Sequence, residues 1–189
     1  MVVQEKGLLR LMKEAWKGSG YTVAADEGDD EDYLCISYWG WKVGIAFDAV
    51  PRKVLGLLAE HIGKLPTIGE AFKVQKDEVQ RELFETATAP FDDLRQCIEH
   101  WETHKMMKPT KLEWDGARLW QSPRDQTVVL LEPQLAQIGM FGDGSLDVRL
   151  EGTQLMLQGK RSFVAVSKAH LTDGDKALLE KLTEVKWTV

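Results

Sequence analysis

The chain has 189 residues, 43% hydrophobic and 29% charged, which is the balance of a globular protein with a substantial core. No apolar run approaches the roughly 18 residues of a membrane span, and the first residues lack the pattern of a signal peptide. The net charge of −6 equals the charge of residues 26–32 (DEGDDED), so the rest of the chain is neutral. A neutral body argues against nucleic-acid binding through phosphate contacts. Two cysteines, Cys35 and Cys97, make no disulfide framework, and we expect a cytoplasmic protein with reduced thiols.

The first predicted element is an amphipathic helix over residues 4–17. Its apolar residues recur at helical spacing and are Leu8, Leu11, Met12, Ala15 and Trp16. Gly18 and Gly20 end the helix, and residues 21–25 predict a short strand. The acidic stretch 26–32 then forms a loop that leads into the next element.

Residues 33–47 predict a β-hairpin, because they are rich in β-branched and aromatic residues around Gly40. We expect a two-residue turn at Gly40 and Trp41, with glycine at its first position. This register places six apolar side chains on one face, in the pairs Tyr38–Val43, Ile36–Ile45 and Leu34–Phe47. The other face is small or polar.

A second helix is predicted after the hairpin. Asp48 is a candidate cap, Pro51 suits the first turn, and Gly63 is placed to end the helix. Farther on, Thr67 and Glu70 have capping-box spacing, which favours a helix, whereas the alternation around residues 71–75 favours a strand.

The second half of the chain changes character. A helix over residues 90–105 is followed by an apparent linker at 108–110, and the pattern then becomes that of short strands. Hairpins are expected around Asp115-Gly116 and Glu151-Gly152, strands at 126–132, 135–140 and 161–167, and a last helix after a capping box at Thr172.

Together these elements predict an α+β protein. The N-terminal part, residues 1–108, is a helix and an antiparallel hairpin covered by helices. The C-terminal part, residues 109–189, is a β-rich antiparallel unit closed by a helix. The pattern is compatible with one hydrophobic core shared by the two parts.

Candidate partner-binding residues come from charge and from tryptophan. Seven tryptophans outnumber six phenylalanines, and Trp39 and Trp41 flank the predicted hairpin tip, where burial is difficult. Tryptophan is enriched at binding hot spots, and a dense acidic loop attracts a basic partner. The resulting set is Asp26, Glu27, Asp29, Asp30, Glu31, Asp32, Trp39 and Trp41. The alternative is that the tryptophans pack against the rest of the protein.

A weaker pattern lies on the predicted helix 90–105. At helical spacing, one flank carries Asp93, Cys97, His100 and His104. Two histidines at i and i+4 can chelate zinc, with Cys or Asp as a third ligand. The competing interpretation is an ordinary solvated helix face, and we expect no bound cofactor unless zinc occupies this site.

The sequence therefore favours a non-enzymatic protein-interaction module of the inhibitor, immunity or adaptor type, with a protein partner and neither nucleic acid nor membrane. One alternative is a metal-dependent protein or enzyme that uses the zinc-type residues. The other is a small-ligand-binding β domain with Trp114 and Trp120 at the mouth of its pocket.

Overall fold

A computed structural model describes residues 1–28, 31–83, 96, 98–114, 116–141 and 146–183. The fold is a mixture of helices with one antiparallel sheet of 11 strands. The strands are β1 (Tyr21–Asp26), β2 (Tyr33–Tyr38), β3 (Trp41–Ala46), β4 (Glu70–Gln75), β5 (Glu78–Leu83), β6 (Lys105–Trp114), β7 (Ala117–Gln121), β8 (Val128–Leu131), β9 (Val148–Glu151), β10 (Gln154–Gly159) and β11 (Ser162–Ser167). The helices are α1 (Glu5–Lys17), α2 (Arg52–Ile62), α3 (Pro133–Ala136) and α4 (Asp173–Thr183), with 3-10 turns at Phe47–Ala49 and Trp101–Thr103.

The strand order is β5-β4-β1-β2-β3-β11-β10-β9-β6-β7-β8. The sheet is continuous across the two halves of the sequence because β3 pairs with β11, with Val43 opposite Val164. The linker predicted at residues 108–110 lies inside β6. The division into two parts at residue 108 stays a prediction.

The main core lies on one face of the sheet. It contains Leu8 and Leu11 from α1, Val54 and Leu58 from α2, and the inward side chains of the central strands. A smaller cluster on other strand positions has small residues such as Ala24, Cys35 and Ala165 around Trp101 and Phe163. A third cluster joins β7 and β8 to Leu179 of α4. Among the described residues, no helix combines the length and the apolar character that a membrane span requires.

The β2–β3 hairpin forms with the predicted face but not with the predicted turn. Tyr38 pairs with Trp41, Ile36 with Val43 and Leu34 with Ile45, so the turn consists of Trp39 and Gly40. The predicted partners were two residues farther along. A shift of two preserves which side chains face the core, whereas a shift of one would reverse them. Gly40 has φ +92° and so supplies the positive φ at the second turn position.

Several other local predictions are confirmed. α1, β1 and α2 lie where expected, and Gly63 ends α2 in the left-handed conformation at φ +82°. Trp114 pairs with Ala117, as the hairpin expected at this point requires, although Asp115 itself lies outside the described residues. The Asp175 amide donates to the Thr172 hydroxyl at 3.3 Å and the Thr172 amide donates to the Asp175 carboxylate at 3.1 Å, which are the two bonds of a capping box.

Three further expectations were wrong, and one alternative that the sequence left open is decided. Asp48 does not cap α2, since it lies in the preceding 3-10 turn and pairs with Arg161. Glu70 begins β4, so the strand alternative is correct there. Residues 135–140 do not form a strand, because α3 occupies Pro133–Ala136. The helix expected to reach residue 105 gives way to a 3-10 turn at Trp101–Thr103.

Candidate functional site

Trp39 stands at the exposed tip of the β2–β3 hairpin. Its side chain is 90% exposed, the largest exposure of any large hydrophobic residue that the structure describes. The turn beneath it is well held. The Ser167 amide donates to the Gly40 carbonyl at 2.8 Å, and the Ser19 hydroxyl donates to the Tyr38 hydroxyl at 3.2 Å. Trp39 is therefore a large aromatic side chain presented to solvent on an anchored turn.

Trp41 has a different environment, and the expectation of an exposed pair was wrong. Trp41 is 1% exposed and belongs to the main core, with its ring centroid 6.2 Å from that of Tyr38. The cause is the hairpin register. With the turn at Trp39 and Gly40, Trp41 becomes the first residue of β3 and points to the same face as Val43.

The acidic loop lies at the other end of the hairpin from Trp39. It joins the end of β1 to the start of β2, where Asp26 pairs with Tyr33. Trp39 is six residues beyond Tyr33, which is about 20 Å at about 3.3 Å per residue. The loop and Trp39 are thus not adjacent.

Within the acidic loop, one carboxylate has a clear internal partner. The guanidinium of Arg161 donates to Glu31 at 2.7 Å and also contacts Asp48. Asp32 is exposed, and its carbonyl accepts from the Phe47 amide at 3.0 Å. The predicted residues Asp29 and Asp30 lie outside the described residues.

A cleft opens at the same end of the sheet as Trp39. Its volume is about 270 Å³, and it is bounded by the ends of α1 and α2 and by the β4–β5 turn. The lining residues are Trp16, Glu60, His61, Gln75, Asp77, Glu78 and Val79. Sequence analysis did not identify this cleft.

The wall of the cleft is a stack of two rings. Trp16 and His61 lie nearly parallel, at 13°, with centroids 4.7 Å apart. His61 Nδ1 is 2.8 Å from the hydroxyl of Tyr21, which is 2% exposed. Burial raises the pKa of Tyr21 and lowers the pKa of His61, so the phenol keeps its proton and the imidazole is neutral at pH 7. We assign the hydroxyl as donor to Nδ1, which leaves the imidazole hydrogen on Nε2.

The β4–β5 turn is fixed against α1. The Lys76 amide donates to the carbonyl of Trp16 at 3.0 Å, and the Gln75 side chain donates to the carbonyl of Gly18 at 3.1 Å. Asp77 adopts φ +66°, a left-handed conformation that Asp and Asn tolerate better than other side chains. These bonds set the width of the cleft.

Of the four residues predicted to bind zinc, the structure describes His100 and His104, and these two do not share a helix face. His100 precedes the 3-10 turn and His104 follows it, with extended dihedral angles of φ −75° and ψ 154°. His104 instead lies 2.8 Å from the Glu151 carboxylate. Asp93 and Cys97 lie outside the described residues. Within the described part of the chain, no three His, Cys, Asp or Glu side chains converge as a metal site would require.

The tryptophans expected at the mouth of a ligand pocket do not share one. Trp120 is 1% exposed and packs edge-on against Phe141, with ring centroids 6.2 Å apart. Trp114 is 46% exposed and lies near Leu130 and Leu179, beside a cavity of only about 10 Å³. This cavity is too small for a ligand.

Two buried ion networks were also not foreseen. The first network surrounds Arg149, which is 6% exposed. Its guanidinium donates to Asp147 at 2.8 Å, to Glu102 at 3.1 Å and to the carbonyl of His104 at 3.1 Å. The same guanidinium lies 5.9 Å from the centre of the Trp101 ring. These contacts brace the segment 101–104 against β9.

In the second network Glu70, 5% exposed, accepts from Lys64 at 2.9 Å and from the Thr67 amide at 3.1 Å, and it also contacts Arg81. Both networks are satisfied internally, so we interpret them as structural.

Comparison with known proteins identifies no family. No protein-family model and no curated protein matches the chain. Among solved structures, the fold resembles the crystal structure of a DNA polymerase III subunit beta sliding clamp from Bartonella birtlesii. The TM-score is 0.38 and the sequence identity 9%, over 95% of this chain and 67% of that one.

Proposed function

We propose that this protein is a non-enzymatic interaction module, of the inhibitor, immunity or adaptor type, that binds a protein partner through Trp39. The observation that carries the proposal is the 90% exposure of Trp39 on an anchored hairpin turn. Exposing an indole to water is unfavourable, and burying it in a partner recovers that free energy. Because the turn is already ordered, little conformational entropy is lost on binding.

The acidic loop has a narrower role in this proposal. About 20 Å along the hairpin exceeds the Debye length of about 8 Å at physiological ionic strength, so the loop and Trp39 act independently. We assign to Asp26, Glu27 and the neighbouring carboxylates the attraction of a basic region of the partner that comes within a Debye length of the loop, which accelerates association without a contact at the tip.

Site-specific crosslinking followed by affinity measurement tests the proposal. A photoreactive phenylalanine analogue replaces Trp39 in one protein and Ile68 in a matched control, since Ile68 is 41% exposed at the opposite end of β1, beside Ala25. The product formed only from position 39 is identified by mass spectrometry, and its binding to the unmodified protein is measured by calorimetry.

Trp39→Ala should weaken that binding about 30-fold, which corresponds to a hot-spot contribution of about 2 kcal/mol. Ile68→Ala should leave it unchanged. Identical crosslinked products from both positions, or a Trp39→Ala affinity within a factor of two of the original, would reject Trp39 as the anchor.

A further inference from the structure

We propose that the cleft lined by Trp16, His61 and the β4–β5 turn binds a guanidinium group, as carried by an arginine side chain or by a free alkylguanidine. This inference goes beyond the Trp39 surface and stands without it. It rests on the shape of the cleft, on its aromatic wall and on the charges around it.

The size of the cleft suits the end of one extended side chain. Its volume of about 270 Å³ lies just under the roughly 300–1,000 Å³ range of pockets that enclose whole drug-sized ligands. Because the cleft is bounded by fixed backbone at the β4–β5 turn, it exists before a ligand arrives, and binding requires no rearrangement.

The aromatic wall favours a flat cation. Trp is the best aromatic partner for a cation, and a guanidinium stacks on an aromatic face as well as attracting it electrostatically. His61 also lines the cleft and stacks on Trp16, and its ring is fixed in orientation by the Tyr21 hydroxyl and by that stack. A neutral imidazole does not repel the cation.

The charges around the cleft have the matching sign. Three acidic residues line it, namely Glu60, Asp77 and Glu78, and no lysine or arginine does so among the residues that the structure describes. Lys13 is the basic residue whose charge reaches His61, and Glu60 opposes it. Both α1 and α2 also end here, and the carbonyl end of a helix carries partial negative charge.

The position of the cleft relates it to Trp39. The β2–β3 and β4–β5 turns emerge from the same end of the sheet, and their midpoints are three strand spacings apart, or about 14 Å. A protein that buries Trp39 therefore has an arginine-sized site within its footprint, although a free guanidine reaches the cleft equally well.

Titration of the full-length protein with small probes tests the inference. The probes are N-acetyl-arginine methylamide, its lysine counterpart, the uncharged citrulline isostere, and agmatine. Binding is followed by NMR from the indole N–H of Trp16 and the ring of His61, with the Trp39 indole as a distant reference.

We expect saturable shifts at Trp16 and His61 with the arginine probe, at least tenfold weaker binding of citrulline, and weaker binding of lysine than of arginine. The ratio of agmatine to arginine-probe affinity distinguishes a free alkylguanidine from a protein side chain as the ligand.

Charge-only variants make the test specific. The triple variant Glu60→Gln, Asp77→Asn and Glu78→Gln keeps side-chain size, and Asn keeps the left-handed preference at position 77. It should weaken the arginine probe at least tenfold, whereas Glu113→Gln, which neutralises a 59% exposed carboxylate on β6, should not change it.

Equal binding of arginine and citrulline, tighter binding of lysine than of arginine, or an unaffected triple variant would overturn the inference. None of these results bears on the proposal for Trp39, because that proposal is tested by measuring the affinity for a protein partner.

Discussion

Replacing Gly7 by alanine should destabilise this protein, although alanine is the better helix former. Gly7 lies within α1, where the intrinsic preference for alanine is about 1 kcal/mol. A Cβ at this position, however, would lie 1.8 Å from the carbonyl oxygen of Gln137 and 2.4 Å from its carbonyl carbon. The obstacle is backbone, so a change of side-chain rotamer cannot relieve it.

The backbone that follows Gln137 is also tied to the N-terminal segment by two hydrogen bonds. The Gln4 amide donates to the carbonyl of Ile138 at 2.9 Å, and the Met140 amide donates to the carbonyl of Val2 at 3.0 Å. Overpacking against a fixed neighbour costs about 1–3 kcal/mol, and more where nothing yields. Because the neighbour here is fixed backbone, we take the upper part of that range, about 2–3 kcal/mol, and after the gain of about 1 kcal/mol in helix propensity we expect a net loss of about 1–2 kcal/mol.

Gly56 provides the matched control. It lies in α2, it is exposed, and a Cβ there would meet no heavy atom within 4 Å. Gly56→Ala should therefore stabilise the protein by about 0.5–1 kcal/mol. The same chemical change is thus expected to have opposite signs in the two helices.

Differential scanning calorimetry and urea unfolding measure both variants. At about 2–4 °C per kcal/mol for a chain of this size, Gly7→Ala should lower Tm by about 2–8 °C, and Gly56→Ala should raise it by about 1–4 °C. If Gly7→Ala unfolds at or above the original temperature, α1 does not lie against the backbone of residues 137–138.

Three further outcomes are expected. Hydrogen bonds from Lys64 and from the Thr67 amide hold the pKa of Glu70 at about 2, below its usual 4.5. The stability that the ionised Glu70 contributes to the fold is therefore present above about pH 4.5 and is lost as the pH falls towards 2. Glu70→Gln should flatten the pH dependence of the urea midpoint in that window. Arg149→Leu should cost about 2–3 kcal/mol, because the 7% exposed guanidinium gives up its hydrogen bonds to Asp147, Glu102 and the His104 carbonyl, whereas Arg118→Leu, at 43% exposure, should cost less than about 1 kcal/mol in the same urea titration. Because burial lowers the pKa of His61, its ring should titrate below 6.5 by NMR and stability should decline as the pH falls below that value; a midpoint above 6.5 would contradict its burial.

Local chemistry explains what could be predicted from the sequence. Apolar residues at helical spacing predict α1, and Gly63 predicts the left-handed end of α2. Thr172 and Asp175 predict the capping box at the start of α4. Each of these features is decided within a few residues. The helix expected to reach residue 105 failed for the opposite reason. There Arg149, more than 40 positions away, fixes the carbonyl of His104 and so favours the turn that precedes β6.

The β2–β3 hairpin shows which part of a register a pattern determines. Alternation fixes the parity of the pairing, because an odd shift exposes the whole apolar face. Alternation does not distinguish two turns whose strand pairings differ by an even number of residues. A turn at Gly40 and Trp41 and a turn at Trp39 and Gly40 bury almost the same side chains. They differ in whether Trp41 lies in the turn or in the core-facing row of β3, and the pairing with β11 adds a constraint on Trp41 that lies 125 residues away, at Val166.

The charges around the candidate site could not be predicted from the sequence, for a related reason. The conspicuous acidic run is compact in sequence but lies about 20 Å from Trp39, at the far end of the hairpin. The carboxylates at the same end of the sheet as Trp39 come from α2 and from the β4–β5 turn, separated by 16 residues between Glu60 and Asp77. Antiparallel pairing of β1 with β2 and with β4 brings both turns to one end of the sheet. Proximity to the exposed tryptophan is therefore set by strand direction, and charge density along the chain gives no measure of it.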